Sequence, residues 1–212
     1  MINVYENISP NRNSPRNHKV DRITIHAMSG HMTARACCDM FANPERKASA
    51  NYCIGKDGDI AISVPLTDRS WCSSNSINDN ASVCIEVSSD SVAPYKFDDM
   101  AYLVCIDLVV NVMKFYNKNR LVYFGNRDDA ENYIIKDNEM LLTKHNFYAP
   151  KACPGQWFES KIPEFINEVH KRLGEDAIIE NQNKQDEHAY TKDVLKSLKD
   201  KIDALFKVYG IE

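Results

Sequence analysis

The stretch Lys144-His145-Asn146-Phe147-Tyr148-Ala149-Pro150-Lys151-Ala152-Cys153-Pro154-Gly155 sets an imidazole and a thiol eight positions apart, with a lysine two before the thiol and Pro-Gly directly after it. Pro150, Pro154 and Gly155 exclude a regular helix, so the segment reads as a turning loop with fixed bends. Such a loop can aim His145 and Cys153 at one point, and neutral imidazole with thiolate is a donor pair suited to zinc. A single His and a single Cys in a domain are more often packing residues. The reading therefore depends on what the rest of the chain brings to them.

Toward the amino terminus, Arg22-Ile23-Thr24-Ile25-His26 alternates like a half-buried strand and ends in a histidine shortly before Ser29-Gly30. A histidine where the chain leaves a sheet either faces a cleft or lies on the surface, and spacing alone leaves both open. Nothing in the spacing pairs His31 with His26. Residues 8–19, rich in Asn, Pro and Arg, read as an irregular arm lying on the surface. Thr33 can cap a helix running to about Asn43, because Ala34, Cys37, Cys38 and Phe41 fall on one face. Residues 50–54 and 60–64 form a hairpin pattern across Lys56-Asp57-Gly58. Residues 69–75, Arg-Ser-Trp-Cys-Ser-Ser-Asn, read as a polar loop with one large aromatic. Ser82-Val83-Cys84-Ile85-Glu86-Val87 is a buried type of strand carrying one carboxylate. An acid in such a run needs a partner or a task, and ion pairing and chemistry stand as equal alternatives for Glu86.

Toward the carboxyl terminus, residues 97–117 are helical, with Met100, Leu103, Val104, Leu108, Val112 and Phe115 on a broad apolar face. Leu121-Val122-Tyr123-Phe124-Gly125 is a further strand, and residues 126–138 a polar loop or insertion. Ile162, Phe165, Ile166, Val169 and Leu173 mark an amphipathic helix closed by Gly174. Strands alternating with helices give an α/β domain over residues 1–174. A polar linker follows at 175–187, then an amphipathic helix within 188–212. There Leu195, Leu198, Ile202, Leu205 and Tyr209 make a short a/d seam, which either docks back on the domain or self-associates.

Composition sets the outer limits. The chain has 212 residues, 43% of them hydrophobic and 26% charged, which describes an ordinary soluble domain with a sizeable core. A net charge of −4 without a basic stripe argues against nucleic acid as a partner. No apolar run reaches the length of a membrane span. Residues 1–7 lack the basic flank and apolar core of a secretory signal, so the expected place of synthesis and retention is the cytoplasm. The seven cysteines are odd in number, and Cys84 and Cys105 sit inside apolar runs. That pattern predicts reduced, mostly buried thiols, with Cys153 as the exception.

Taken together, the pieces resemble the zinc-dependent N-acetylmuramoyl-L-alanine amidases of the amidase-2 and peptidoglycan-recognition superfamily. Within it they are most similar to the endolysins of phages and prophages of Gram-positive bacteria. The resemblance covers residues 20–174 and rests on five motifs in order. They are Ile23-Thr24-Ile25-His26; Ser49-Ala50-Asn51-Tyr52 with Gly55 and Asp57-Gly58; Arg69-Ser70-Trp71; Val83-Cys84-Ile85-Glu86; and His145 to Gly155. It implies a central mixed β-sheet flanked by helices, with a C-terminal helical appendage left over. It also implies that His26, His145 and Cys153 hold zinc and leave a fourth position for water. The reaction implied is hydrolysis of the amide between N-acetylmuramic acid and L-alanine in bacterial peptidoglycan. Tyr52 is then expected to hydrogen-bond the water or the developing oxyanion, and Lys151 to supply positive charge to it. Glu86 is expected to assist as proton acceptor or to position other groups.

Departures from the family pattern are Cys72, where many relatives carry histidine, and the 126–138 loop, which is expected to shape the cleft wall. Residues 175–212 fall outside the resemblance; in endolysins such a tail leads to a cell-wall-binding module. The rival readings are a catalytically silent peptidoglycan receptor, a zinc enzyme cutting the stem or cross-bridge peptide, and a host autolysin. Receptors usually lack the metal-binding cysteine, so Cys153 together with Lys151 favours catalysis. The missing export signal favours a lysin made in the host cytoplasm and acting on the wall after release.

Overall fold

The computed structural model of the chain describes residues 4–179, with side chains up to residue 174. Its elements are β1 (Tyr5–Glu6), β2 (Arg12–Asn13), β3 (Arg22–Ala27), α1 (Ala34–Phe41), β4 (Tyr52–Ile54), β5 (Ile60–Ile62), β6 (Arg69–Ser70) and α2 (Ser76–Ala81). They continue with β7 (Ser82–Val87), α3 (Asp99–Phe115), β8 (Arg120–Tyr123), α4 (Arg127–Asn132), β9 (Glu139–Lys144) and α5 (Gln156–Ile179). Seven strands make one mixed sheet in the order β1-β5-β4-β7-β3-β9-β8, and β2 pairs with β6 beside it. β3 lies between β7 and β9 and runs parallel to both. The hairpin β4–β5 supplies an antiparallel pair.

Alternation along the strands decides which side chains reach which face. Ile23, Ile25, Val83, Ile85 and Tyr52 point to a large core covered by α3 and α5, where Phe97, Phe158 and Phe165 are fully buried. Burying side chains of that size stabilises by roughly 1.5–3 kcal/mol each. Phe97 stacks on Phe158 at 5.1 Å, tying the start of α3 to α5. The other face meets α1 through Cys37, Cys38 and Phe41 against Cys53, Ala61 and Cys84. Thr33 caps α1 by accepting from the Ala36 amide, as its place before the apolar stripe predicts. Thr24 and His26 emerge on this second face, and the strand register sets His26 beside Glu86.

Several expectations need correction. Residues 8–19 are mostly exposed, as an arm on the surface should be, but Ser9 and Asn11 are buried. The Arg16 guanidinium donates to the carbonyls of Leu66, Asp68 and Asn80 at 2.7–2.8 Å, so the arm is strapped down by backbone acceptors. Within α3, Leu103 is exposed, because the helix is buried along Val104, Leu108 and Val112 instead. The 126–138 segment contains α4. The helix expected to close at Gly174 continues to Ile179, since a glycine within a helix weakens it by only about 1 kcal/mol. The first residues of the expected 175–187 linker are therefore helical. The expected 188–212 helix, with its self-association or wall-module attachment, lies outside the described residues. No helix among the described residues is long and apolar enough to cross a membrane.

Candidate metal centre

The end of β3 places His26, 1% exposed, at the rim of the second face. β9 runs alongside it with Lys144 opposite Ile25, so the next residue, His145, leaves the sheet at the level of His26. A 3₁₀ turn at His145–Phe147 then reverses the chain, closed by the Tyr148 amide donating to the His145 carbonyl at 2.9 Å. The following loop returns Cys153. The Asn146 amide donates to the Cys153 carbonyl at 3.1 Å, and the Gly155 amide to the Ala152 carbonyl at 2.7 Å. Gly155 has φ +98°, a region that favours glycine.

Three side chains distant in sequence thus converge. The His26 and His145 rings lie 5.0 Å apart between centroids. Cys153 Sγ sits 3.5 Å from His26 Nδ1 and accepts from the Ala27 amide at 3.3 Å. One donor atom from each of His26, His145 and Cys153 lies within 4.8 Å of the others. Burial, with the neighbouring imidazole adding to it, pushes the His26 pKa down to about 3. Burial and then the Lys151 charge lower His145 as well. Both rings are therefore neutral near pH 7, the form that ligates metal. Each also keeps a buried Nε2 without a hydrogen-bond partner, an arrangement that is costly unless a further group satisfies the ring. Two imidazoles and a thiol in this geometry fit a tetrahedral ion with one position left over.

Supporting contacts hold the turn. Glu159 of α5 accepts from Lys144 Nζ at 2.6 Å and from Asn146 Nδ2 at 2.7 Å, bracketing His145 on both sides. Burial raises the Glu159 carboxyl, and the Lys144 and Asn146 contacts outweigh it, leaving a net lowering. Glu159 belongs to none of the sequence motifs, and its one local signal is a carboxylate in the first turn of a helix after Pro-Gly.

A groove of about 620 Å³ opens above the sheet, lined among others by Arg46, Arg69, Trp71, Cys72, Glu86, His145 and Lys151. A second lobe of about 310 Å³ reaches His26 and Cys153 and shares Arg46, Glu86, His145 and Lys151 with the first. Glu86 and Lys151 thus line the same lobe as the three donors. Burial lifts the Glu86 carboxyl to about 8, against the opposing charge of Arg46. Tyr52 does not join them. Its register partners are Ile62 and Ile85, so alternation turns it into the α3-side core, away from Glu86. The role expected for Tyr52 is withdrawn. The 126–138 loop lines neither lobe, because β8 carries it to the far edge of the sheet.

The groove wall around Trp71 rests on Asp79, which is buried in α2. Its carboxylate accepts from the amides of Cys72 and Ser73 at 3.3 and 3.0 Å. Trp71 exchanges backbone and hydroxyl hydrogen bonds with Ser49, and its ring nitrogen donates to Asn13 at 2.7 Å. The expectation of reduced thiols holds for Cys37, Cys38, Cys53 and Cys105, which are free and buried. It fails for Cys72 and Cys84, which form a disulfide. The pair come from a loop and a strand brought together only by the fold, so their spacing carried no signal.

The sequence model of the family described as "N-acetylmuramoyl-L-alanine amidase" matches residues 16–156. Among curated proteins none matches. Similar solved structures include the catalytic domain of XlyA, at 18% identity and TM-score 0.56, covering 79% of this chain and 99% of that one. A mutant endolysin from Bacillus subtilis aligns at 21% identity and TM-score 0.54, covering 80% and 99%. Staphylococcus aureus AmiA, solved with its ligand, aligns at 14% identity and TM-score 0.56, covering 79% and 83%. At these identities the likeness establishes the fold: a mixed sheet flanked by helices.

Proposed function

Because the chain belongs to the N-acetylmuramoyl-L-alanine amidase family, we propose that it hydrolyses peptidoglycan at His26, His145 and Cys153 around one zinc ion, as a phage-type endolysin of Gram-positive bacteria. The observation that carries this is the convergence of those three donors within 4.8 Å at the floor of the groove. Bound zinc would supply a water of pKa about 7 and polarise the scissile carbonyl. This chain's own residues account for the rest. Lys151 lines both lobes and places its ammonium where negative charge develops on the carbonyl oxygen. Glu86 lines the same lobe as the three donors, and burial lifts its carboxyl to about 8, which suits it to exchange a proton with the reacting groups near neutral pH. Trp71 offers an apolar face on the groove wall for a sugar ring or peptide stem.

The endolysin reading draws on the names of the similar structures, and on the expectation of synthesis in the host cytoplasm with action on the wall after release. Digestion of purified Gram-positive walls tests the chemistry. The expected products carry new amino-terminal L-alanine and no new reducing sugar; reducing ends alone would reject it. Cys153→Ser should lower both zinc content and lysis.

A further inference from the structure

The disulfide described above lies in an unusual place for a structural staple. Cys84 is the middle of β7, fully buried, one strand over from Thr24 and two residues before Glu86. Cys72 comes from the loop beside Trp71 and lines the larger lobe of the groove. Their Cα atoms are 6.5 Å apart. A ring nitrogen of His26 and the two sulfurs all lie within 4.8 Å of one another. The imidazole is therefore within reach of two sets of sulfur donors, Cys153 and the Cys72–Cys84 pair.

We propose that Cys72 and Cys84, once reduced, form with His26 a second metal-binding site for a thiophilic divalent cation, competing with the hydrolytic set for the same imidazole. A small dithiol reaching Cys72 through the groove supplies two electrons and two protons. The protein S–S bond breaks, two protein thiols form, and the reagent leaves as its own disulfide. A zinc-like cation then displaces one proton from each thiol and bonds both sulfurs. On a tetrahedral ion with bonds of about 2.3 Å the sulfurs stand about 3.8 Å apart, an opening that side-chain rotation supplies. His26 is the third donor.

Two sulfurs and one nitrogen make a softer set than the one sulfur and two nitrogens of the hydrolytic cluster, and softer cations such as cadmium prefer it. While the disulfide is closed, only the hydrolytic set has donors to offer. Oxidation thus commits the imidazole to hydrolysis, and reduction gives it an alternative.

Cobalt(II) titration of the metal-free full chain tests this, since cobalt–thiolate charge-transfer absorption reports the sulfurs bound. Disulfide-intact protein is compared with protein reduced by a dithiol that is then removed without air. The intact wild type should show one-sulfur intensity per ion, and reduction should raise it toward the two-sulfur value. In Cys153→Ser the intact form should show no such band, reduction should restore one, and adding Cys72→Ser should abolish it. An unchanged intensity on reduction of the wild type overturns the proposal. So does a band in reduced Cys153→Ser that survives Cys72→Ser. The one-sulfur band of the intact wild type tests the hydrolytic set separately, so either reading can fail without the other.

Discussion

Substituting Gly155 with alanine puts strain directly behind the metal centre. A Cβ at this position would lie 2.7 Å from the Cβ of Tyr95 and 2.8 Å from the Pro94 carbonyl oxygen. Neither neighbour can retreat freely: the Pro94 carbonyl accepts from the Trp157 amide at 3.1 Å, and Tyr95 holds a positive φ of its own. The φ of +98° at residue 155 adds a penalty of about 1–2 kcal/mol for an L side chain. Forcing a methyl into a packed site costs about 1–3 kcal/mol more. The sum, about 2–5 kcal/mol, is a large part of the stability of a domain this size and corresponds to a fall in Tm of roughly 4–20 °C. If the loop relieves the strain by shifting, Cys153 moves with it, so zinc affinity should fall too. Urea denaturation of the metal-loaded protein measures the first effect and competition with a chelating dye the second. A Gly155→Ala protein as stable as the wild type, with unchanged zinc affinity, would refute the assignment of this turn as the element that fixes the sulfur.

Other consequences are equally open to measurement. Lys151→Ala should retain zinc and lose ~10²–10³ in the rate of L-alanine end release; full activity with metal bound would remove Lys151 from the chemistry. Asp79→Ala strands the buried amides of Cys72 and Ser73 and should cost about 2–4 kcal/mol. Hydrogen exchange across residues 71–76 should quicken, with Asp79→Asn recovering part of the loss. Metal-free protein should weaken in mild acid. His26 has a folded pKa of about 3 against an ordinary 6.5, so the unfolded chain takes up the proton first. Stability is then fully present above pH 6.5 and is lost as pH falls toward 3, by about 2 kcal/mol from this residue at pH 5. Comparison of urea midpoints at pH 7.5 and pH 5 checks the sign, and replacing His26 with asparagine should flatten the profile.

Much of this architecture is legible in the chain because its signals are local. The alternation of β3, the Thr33 cap and the Pro-Gly bends each declare themselves within a few residues. Two kinds of feature escape. Residues Glu139–Lys144 form a central strand, yet their apolar run of Met140, Leu141 and Leu142 is too short to separate from the loop that follows it. Facing is the other. Tyr52 and Cys53 are neighbours in sequence, but only the register against Ile85 and Glu86 decides which one packs toward α3 and which toward α1. The same limit hid the Cys72–Cys84 bond, whose partners meet through tertiary structure alone. The candidate metal set was readable because each of its residues sits at a structural boundary, where a strand ends or a turn begins, and such boundaries carry their own punctuation.

The position of β3 between β7 and β9 also governs when this protein becomes complete during its synthesis. Its own flanking strands arrive about 60 and 120 residues later, as the register Arg22↔Ser82 and Arg22↔Leu141 requires. A nascent chain has His26 long before the other two donors of the hydrolytic set, His145 and Cys153, are made. Loop closure over such separations is slow, so the candidate metal set comes together only after both flanking strands have paired with β3. Fragments of this hydrolase that stop short of Cys153 would therefore lack the hydrolytic set.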